Sequence, residues 1–425
     1  MMMKSILASI LLLVSLCWHA DALALSCGET IASDTTLTAD LSCSGGSYAL
    51  YVATPGVTID FGGYSVRGTA SMDGIRVADA GDVTLLHGNL SGFRVGINAS
   101  RADGLTVNGM LLWNLGSAVI ASDSRAVTLV GNTAYLLDNW GFFLPAYAGS
   151  RPALGGHVIA GNWLEGPTTL VGVCGAANGG SLIRGNEMHG GGVLLMDGAS
   201  GNEVSGNVME GGLFRDFGVL LFGSRGNLIR DNGIHRYESG IALIPAYNGK
   251  CATGSLPLPQ VDNNRILDND LSIGQTAILL GRGDRRRPLV FANLVSGNSI
   301  AAFELGLHLR ADSFDNVASG NLFFHTTRAV RDEGILNSIS NAAPARVTGR
   351  QARIATRPSI RPSPALQARV RNPGPALSRN ATASKPVPVR RTGHSVRSAD
   401  GRPPLCGCNP VARPRLQPAA SQPRG

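Results

Sequence analysis

Short apolar runs alternate with glycine and asparagine through the whole middle of the chain. A Gly-Asn pair or a close relative recurs, usually with an aliphatic residue two places later. The instances are Gly88-Asn89, Gly131-Asn132, Gly161-Asn162, Gly185-Asn186, Gly206-Asn207, Asp231-Asn232, Asn263-Asn264, Gly297-Asn298 and Gly320-Asn321. The asparagines lie 43, 30, 24, 21, 25, 32, 34 and 23 residues apart, and Asn108-Gly109 splits the first gap into 19 and 24. A second short strand, begun by glycine, precedes most units, as in Gly74-Ile-Arg-Val77, Gly192-Val-Leu-Leu195, Gly218-Val-Leu-Leu221 and Gly240-Ile-Ala-Leu243. Period-two strands repeating every ~20–30 residues, with no 3.6-residue periodicity, predict a β-solenoid. One turn buries too little apolar surface to stand alone, so stacking supplies the core.

The asparagines fit a structural task. A tight corner needs a residue that tolerates left-handed geometry, and Asn does so well after Gly. At the ~4.8 Å spacing of neighbouring strands, their amides can bond from coil to coil. We expect a ladder and assign none of them to catalysis.

Composition narrows the class. Glycine numbers 55, aromatics are 5% and charged residues 16% of 425 residues, while 44% are hydrophobic. Glycine without a three-residue period excludes collagen, and the apolar content excludes a wholly disordered chain. The net charge of +8 is unevenly placed. Residues 25–340 hold 20 Lys and Arg against 27 Asp and Glu, a net of −7, whereas residues 341–425 hold 16 against Asp400 alone, a net of +15. The repetitive part is therefore mildly acidic, which argues against a basic nucleic-acid-binding domain.

Lys4 precedes a 13-residue apolar run from Ile6 to Trp18, followed by small-x-small steps at Ala20-Asp21-Ala22 and Ala22-Leu23-Ala24. This reads as a cleavable signal peptide over 1–24, and the run is too short for a membrane span. A secreted or periplasmic protein with no transmembrane segment in the mature chain is expected. Six cysteines then remain, and an even number in an oxidising compartment favours disulfides. Cys27–Cys43 would close a short loop, and Cys174–Cys251 would pin a later loop across about three coils. Metal ligation is not expected, since C-x₂-C spacing with nearby His is absent.

The opening Cys27-Gly-Glu-Thr-Ile31, Asp34-Thr-Thr-Leu37, Asp40-Leu-Ser-Cys43 and Gly56-Val-Thr-Ile-Asp60-Phe-Gly-Gly63, with the repeats after it, resembles the right-handed parallel β-helix superfamily. Its members include pectate lyases, mannuronan epimerases and periplasmic copper-associated β-helix proteins. The resemblance spans roughly 27–340 and implies the fold; this fold carries many activities, so it implies a glycan substrate only as a class. The epimerase-type Asp-Pro-His-Asp run is absent. No cofactor is expected, and no run of residues supports a calcium (Ca) site of the pectate lyase kind.

Two constellations are candidates for a site. Three coils carry extra residues after the Gly-initiated strand: Pro145–Pro152, Pro245–Ala252 and Gly281–Pro288. Shared register puts these loops at one corner, where Tyr147 and Tyr247 would offer sugar-stacking rings. Arg151, Lys250, Arg282 and Arg285, with Arg286 and Arg287, would receive carboxylates or sulfates. Surface insertion is the plain alternative. The other constellation lies three residues past each asparagine: Glu165, His189, Glu210 and His235, with Arg215, Asp216, Arg236, Tyr237 and Glu238 adjoining. Their predecessors Leu164, Met188, Met209 and Ile234 should point inward, leaving a Glu-His-Glu-His row outside. His235 with Arg236 and Tyr237 suits proton abstraction beside a cation, and Glu210 with Asp216 or Glu238 suits acid hydrolysis. A charge-paired exposed ladder is the plain alternative. A metal site through Met188, His189, Met209 and His235 is disfavoured because the methionines belong in the core.

The expectation is an all-β, right-handed, single-stranded parallel β-helix over 25–341, after the signal peptide. A disordered Arg/Pro-rich basic tail over 342–425 would contact anionic envelope surfaces. The function expected is binding an extracellular or envelope polysaccharide, with lyase, epimerase or hydrolase action left open. The rival is a non-catalytic surface or structural protein tethered by its tail.

Overall fold

A computed structural model describes residues 25–147, 153–166, 169–212, 217–245, 251, 260–283 and 289–340. Every strand pairing among them is parallel, and no helix is present there. Each coil has three sides. A short strand enters a 13-stranded sheet, and two further strands enter a 23-stranded sheet that wraps two sides of the solenoid. We call these two sides the first and second strips, in chain order. The strands Trp163–Glu165, Glu187–Gly190, Val208–Gly211 and Gly233–His235 are successive rungs of the first strip.

Alternation along each rung builds the core. Leu164, Met188, Met209, Ile234, Leu271, Ile300 and Phe323 stack in one inward column, all nearly solvent-free. Met188 and Met209 are thus core residues, as their period-two phase requires. At Asp270–Leu280 and Ser299–Leu309 the two strips fuse into continuous 11-residue strands. Ile273 (φ 63°) and Ala302 (φ 58°) take the left-handed conformation that turns those corners.

The asparagines form two ladders. In the first, Asn132, Asn162, Asn186, Asn207, Asn232, Asn269, Asn298 and Asn321 are buried in register. Each amide donates to the next Oδ1 at 2.8–3.0 Å, from Asn132 through Asn298. Asn202, Asn227, Asn264, Asn293, Asn316 and Asn337 form the second, at the corner entering the 13-stranded sheet. The expectation of one ladder is corrected at three positions. Asn264 belongs to the second ladder, and Asn269 takes its place in the first. Asn89 lies one residue past the column and binds Trp113 Nε1 through its Oδ1 at 2.7 Å. Asn108 is exposed on a different strand. Met110 and Gly88 hold the ladder column in those early coils, Met110 N donating to Asn132 Oδ1 at 2.9 Å.

Cys27 is joined to Cys43, and Cys174 to Cys251. Pro145, Cys174, Met196, Phe222 and Ile244 share one column at the end of the second strip, so the three long loops leave the same corner. Among the described residues no helix is long and apolar enough to cross a membrane.

Candidate functional site

The outer column of the first strip is where sequence and structure converge. Glu165, His189, Glu210 and His235 are direct register partners on four successive rungs, followed by Ser272. Their neighbours Leu164, Met188, Met209 and Ile234 are locked into the core, which fixes the opposite direction for the column. His189 Nε2 lies 2.9 Å from Glu187 Oε1, two residues back on the same face. His235 Nδ1 lies 2.7 Å from Ser272 Oγ on the next rung. Arg236 Nη1 donates to Glu210 Oε1 at 3.3 Å.

A groove of about 650 Å³ runs beside this column, lined by Glu165, His189 and Glu210, by Asp138 and Leu136, and by a floor of glycine. The floor is concave because its turns carry no side chains. Gly190 sits at φ 95°, and a Cβ there would lie 2.2 Å from Gly166 O. A Cβ on Gly211 would lie 2.5 Å from Arg236 O. Only glycine fits such an approach.

Tyr237 is a correction. Alternation from His235 would turn it outward, but Arg236 (φ 62°) takes a left-handed turn that resets the phase. Tyr237 is 2% exposed, and its hydroxyl donates to Gly191 O at 2.8 Å beneath the glycine floor. Burial first, and the Glu210 charge second, hold its phenol far above the usual range. It supports the groove from below and cannot meet a ligand in it.

Of the loop-corner candidates, Tyr147 and Arg282 fall among the described residues. Tyr147 is 42% exposed, with its backbone N–H on Asp123 Oδ1 at 2.8 Å, and burial raises its phenol pKa. The Arg282 backbone N–H donates to Asp312 Oδ2 at 2.9 Å. Neither residue lines the groove. Arg151, Tyr247, Lys250, Arg285, Arg215 and Asp216 lie outside the described residues, as do Arg286, Arg287, Cys406 and Cys408. One group with metal-ligand spacing occurs among the described residues: Cys174, Cys251 and Asp197. Its sulfurs are joined to each other, and Asp197 Oδ2 accepts from Cys251 N at 2.9 Å.

Sequence reading missed the aromatic continuation of the column. Trp113 and Tyr135 precede Glu165 on the outer face, and Trp163 stands two residues before Glu165 on the same face of its strand. Trp113 and Tyr135 stack at 6.3 Å, Tyr135 meets Trp163 edge-on at 6.4 Å, and Trp163 lies 5.5 Å from the His189 ring. All three aromatics are half-buried. Burial, and then the Glu165 charge, raise the Tyr135 pKa. The signal was present: counting three past Asn132 gives Tyr135, while Met110 in place of asparagine hides Trp113.

A family model described as the right handed beta helix region matches residues 166–323, a little over a third of the chain, and the described coils have the parallel β-helix fold. No curated protein matches it in sequence. Among solved structures, a point mutant of the periplasmic alginate epimerase AlgG superposes with a TM-score of 0.53 at 13% identity, covering 74% of this chain and 76% of that one. Another AlgG variant gives 0.53 at 14%, covering 75% and 79%. At such identity the likeness is one of fold.

Proposed function

We propose that the first-strip groove binds an extended glycan laid along the solenoid axis and that Glu165, His189, Glu210 and His235 act on it. The observation that carries this reading is the continuous outer column, aromatic at Trp113 and Tyr135 and acid-imidazole from Glu165 to His235, beside an open groove. Aromatic faces with adjacent polar groups suit pyranose rings, which present both apolar and hydroxyl surfaces.

The arrangement favours hydrolysis over elimination or epimerisation. Glu165 and Glu210 stand two rungs apart, ~9.6 Å at ~4.8 Å per rung, with His189 between them. Inverting glycosidases hold their two carboxyl groups ~6.5–9.5 Å apart, so this pair stands at the top of that range. Proton abstraction beside a cation would draw on His235 and Arg236, yet Arg236 is directed onto Glu210 and Tyr237 is buried. The fold shared with alginate epimerases supports a glycan as ligand and is neutral on the reaction.

Export belongs to the same proposal. Two disulfides suit an oxidising compartment outside the cytosol, and the expected signal peptide lies outside the described residues. The basic stretch over 342–425 would hold the protein to anionic envelope surfaces. This supports a second reading, a non-catalytic glycan-binding surface protein tethered by that tail.

A panel of neutral and uronate glycans separates the two. New reducing ends, or the ultraviolet absorbance of an unsaturated uronate, identify an enzyme. Binding without turnover supports the tethered binder, and no binding at all removes the glycan reading.

A further inference from the structure

Resting on that glycan reading, we infer that the groove selects a chain free of carboxylate and sulfate groups, either uncharged or bearing ammonium groups, and rejects polyuronates. The reason is the sign of its walls. On the outer face and corner of the first strip, the described residues from Leu111 to Asp270 present Asp138, Glu165, Glu187, Glu210, Glu238 and Asp270. Over the same stretch they present one permanent cation, Arg236, and it is already directed onto Glu210. Glu187, on the same outer face, is held by His189. Glu165 and Asp138 line the groove with no cation against them among the described residues.

A pyranose ring in an extended chain advances by roughly one ~4.8 Å rung. A polyuronate carries one carboxylate per ring, so its negative charge would run the whole length of an acidic wall. Like charges about 5 Å apart repel appreciably even in a water-facing groove, and a concave wall focuses the field. The same wall attracts an ammonium group. An uncharged hexose chain meets neither effect and keeps the aromatic stacking on Trp113 and Tyr135. Arg282, the described member of the basic loop candidates, does not line this groove.

The test uses the mature chain and three oligosaccharides of equal length: a neutral hexose oligomer, a glucosamine oligomer and a uronate oligomer. Calorimetry or the fluorescence of Trp113 and Trp163 reads affinity at low and at raised salt. The uronate oligomer should bind about tenfold or more weakly than the neutral one. The glucosamine oligomer should bind tightest, with an advantage that fades as salt rises. Asp138→Asn with Glu165→Gln should narrow the spread from both sides, while Trp113→Ala should weaken all three oligomers. If the uronate oligomer binds at least as tightly as the neutral one and depends equally on Trp113, the charge inference falls and the glycan reading stands. If no oligomer binds, or Trp113→Ala changes nothing, both fall.

Discussion

Acid reaches the fold's stability through His157, although its side chain is almost fully buried. It occupies the column of the second ladder, one rung before Ser181 and two before Asn202. Its ring is 1% exposed, and Nδ1 accepts the Val127 N–H at 3.2 Å. Nε2 therefore carries the proton, donated to Asn178 Oδ1 at 2.9 Å. A second proton would face the Val127 N–H in a dry core, and burial lowers the His157 pKa to about 4 against 6.5 unperturbed. Because the folded pKa is the lower one, the unfolded chain takes up the proton first. Stability from this group is complete above the unfolded value and is lost as pH falls from about 6.5 to about 4. The shift of about 2.5 units at 1.36 kcal/mol each comes to about 3 kcal/mol. The comparison is with His157→Asn, whose amide can accept from Val127 N without titrating. Denaturant unfolding of both proteins from about pH 7 to about pH 4 lets the shared carboxylate effects cancel in the difference. The variant should gain about 3 kcal/mol on the wild type across that range. A difference that stays flat would refute the buried neutral imidazole.

Other expectations concern the first ladder, the groove and the tail. Asn207→Ala strips Asn186 of the acceptor for its backbone N–H and its amide, and leaves Ile183 O without its donor. Denaturant titration should show a loss of ~1–3 kcal/mol, with turnover per folded molecule retained. Tyr237→Phe should lower the melting temperature by orphaning Gly191 O and leave glycan turnover intact; the opposite pattern would return Tyr237 to the catalytic set. Glu165→Gln or Glu210→Gln should end bond cleavage with little change in melting, since neither side chain is in the core. Cleavage that survives the combined loss of His189, Glu210 and His235 would remove this column from the mechanism. A chain ending at Asn341 should melt as the full chain does and lose its salt-sensitive affinity for anionic surfaces; a fall of several degrees would show that the tail packs on the solenoid.

The inside of the solenoid was legible because its constraints repeat. Every coil must return an apolar residue to the core, and from Asn132 onward an amide to the corner, so the pattern is written many times over. Its limit shows at Asn264. Both ladders use the same local spelling, asparagine followed two places on by an aliphatic, as in Asn186-Glu-Met188 and Asn264-Arg-Ile266. Nothing local says which corner an asparagine turns, and a 37-residue step from Asn232 to Asn269 defeats any count by period. The outside repeats nothing. Glu165, His189, Glu210 and His235 were placed outward correctly because each is tied to a core residue by a single peptide step. Tyr237 was misplaced because one left-handed residue, Arg236, reverses the phase, and an arginine gives no warning of that conformation as a glycine would. Trp113 escaped for the converse reason, its column being marked by a methionine where later coils carry asparagine. The outer face is thus a product of phase errors that the core suppresses and the corners permit. A glycan bound as proposed would read these outward residues, so the proposed site lies where the sequence is least periodic.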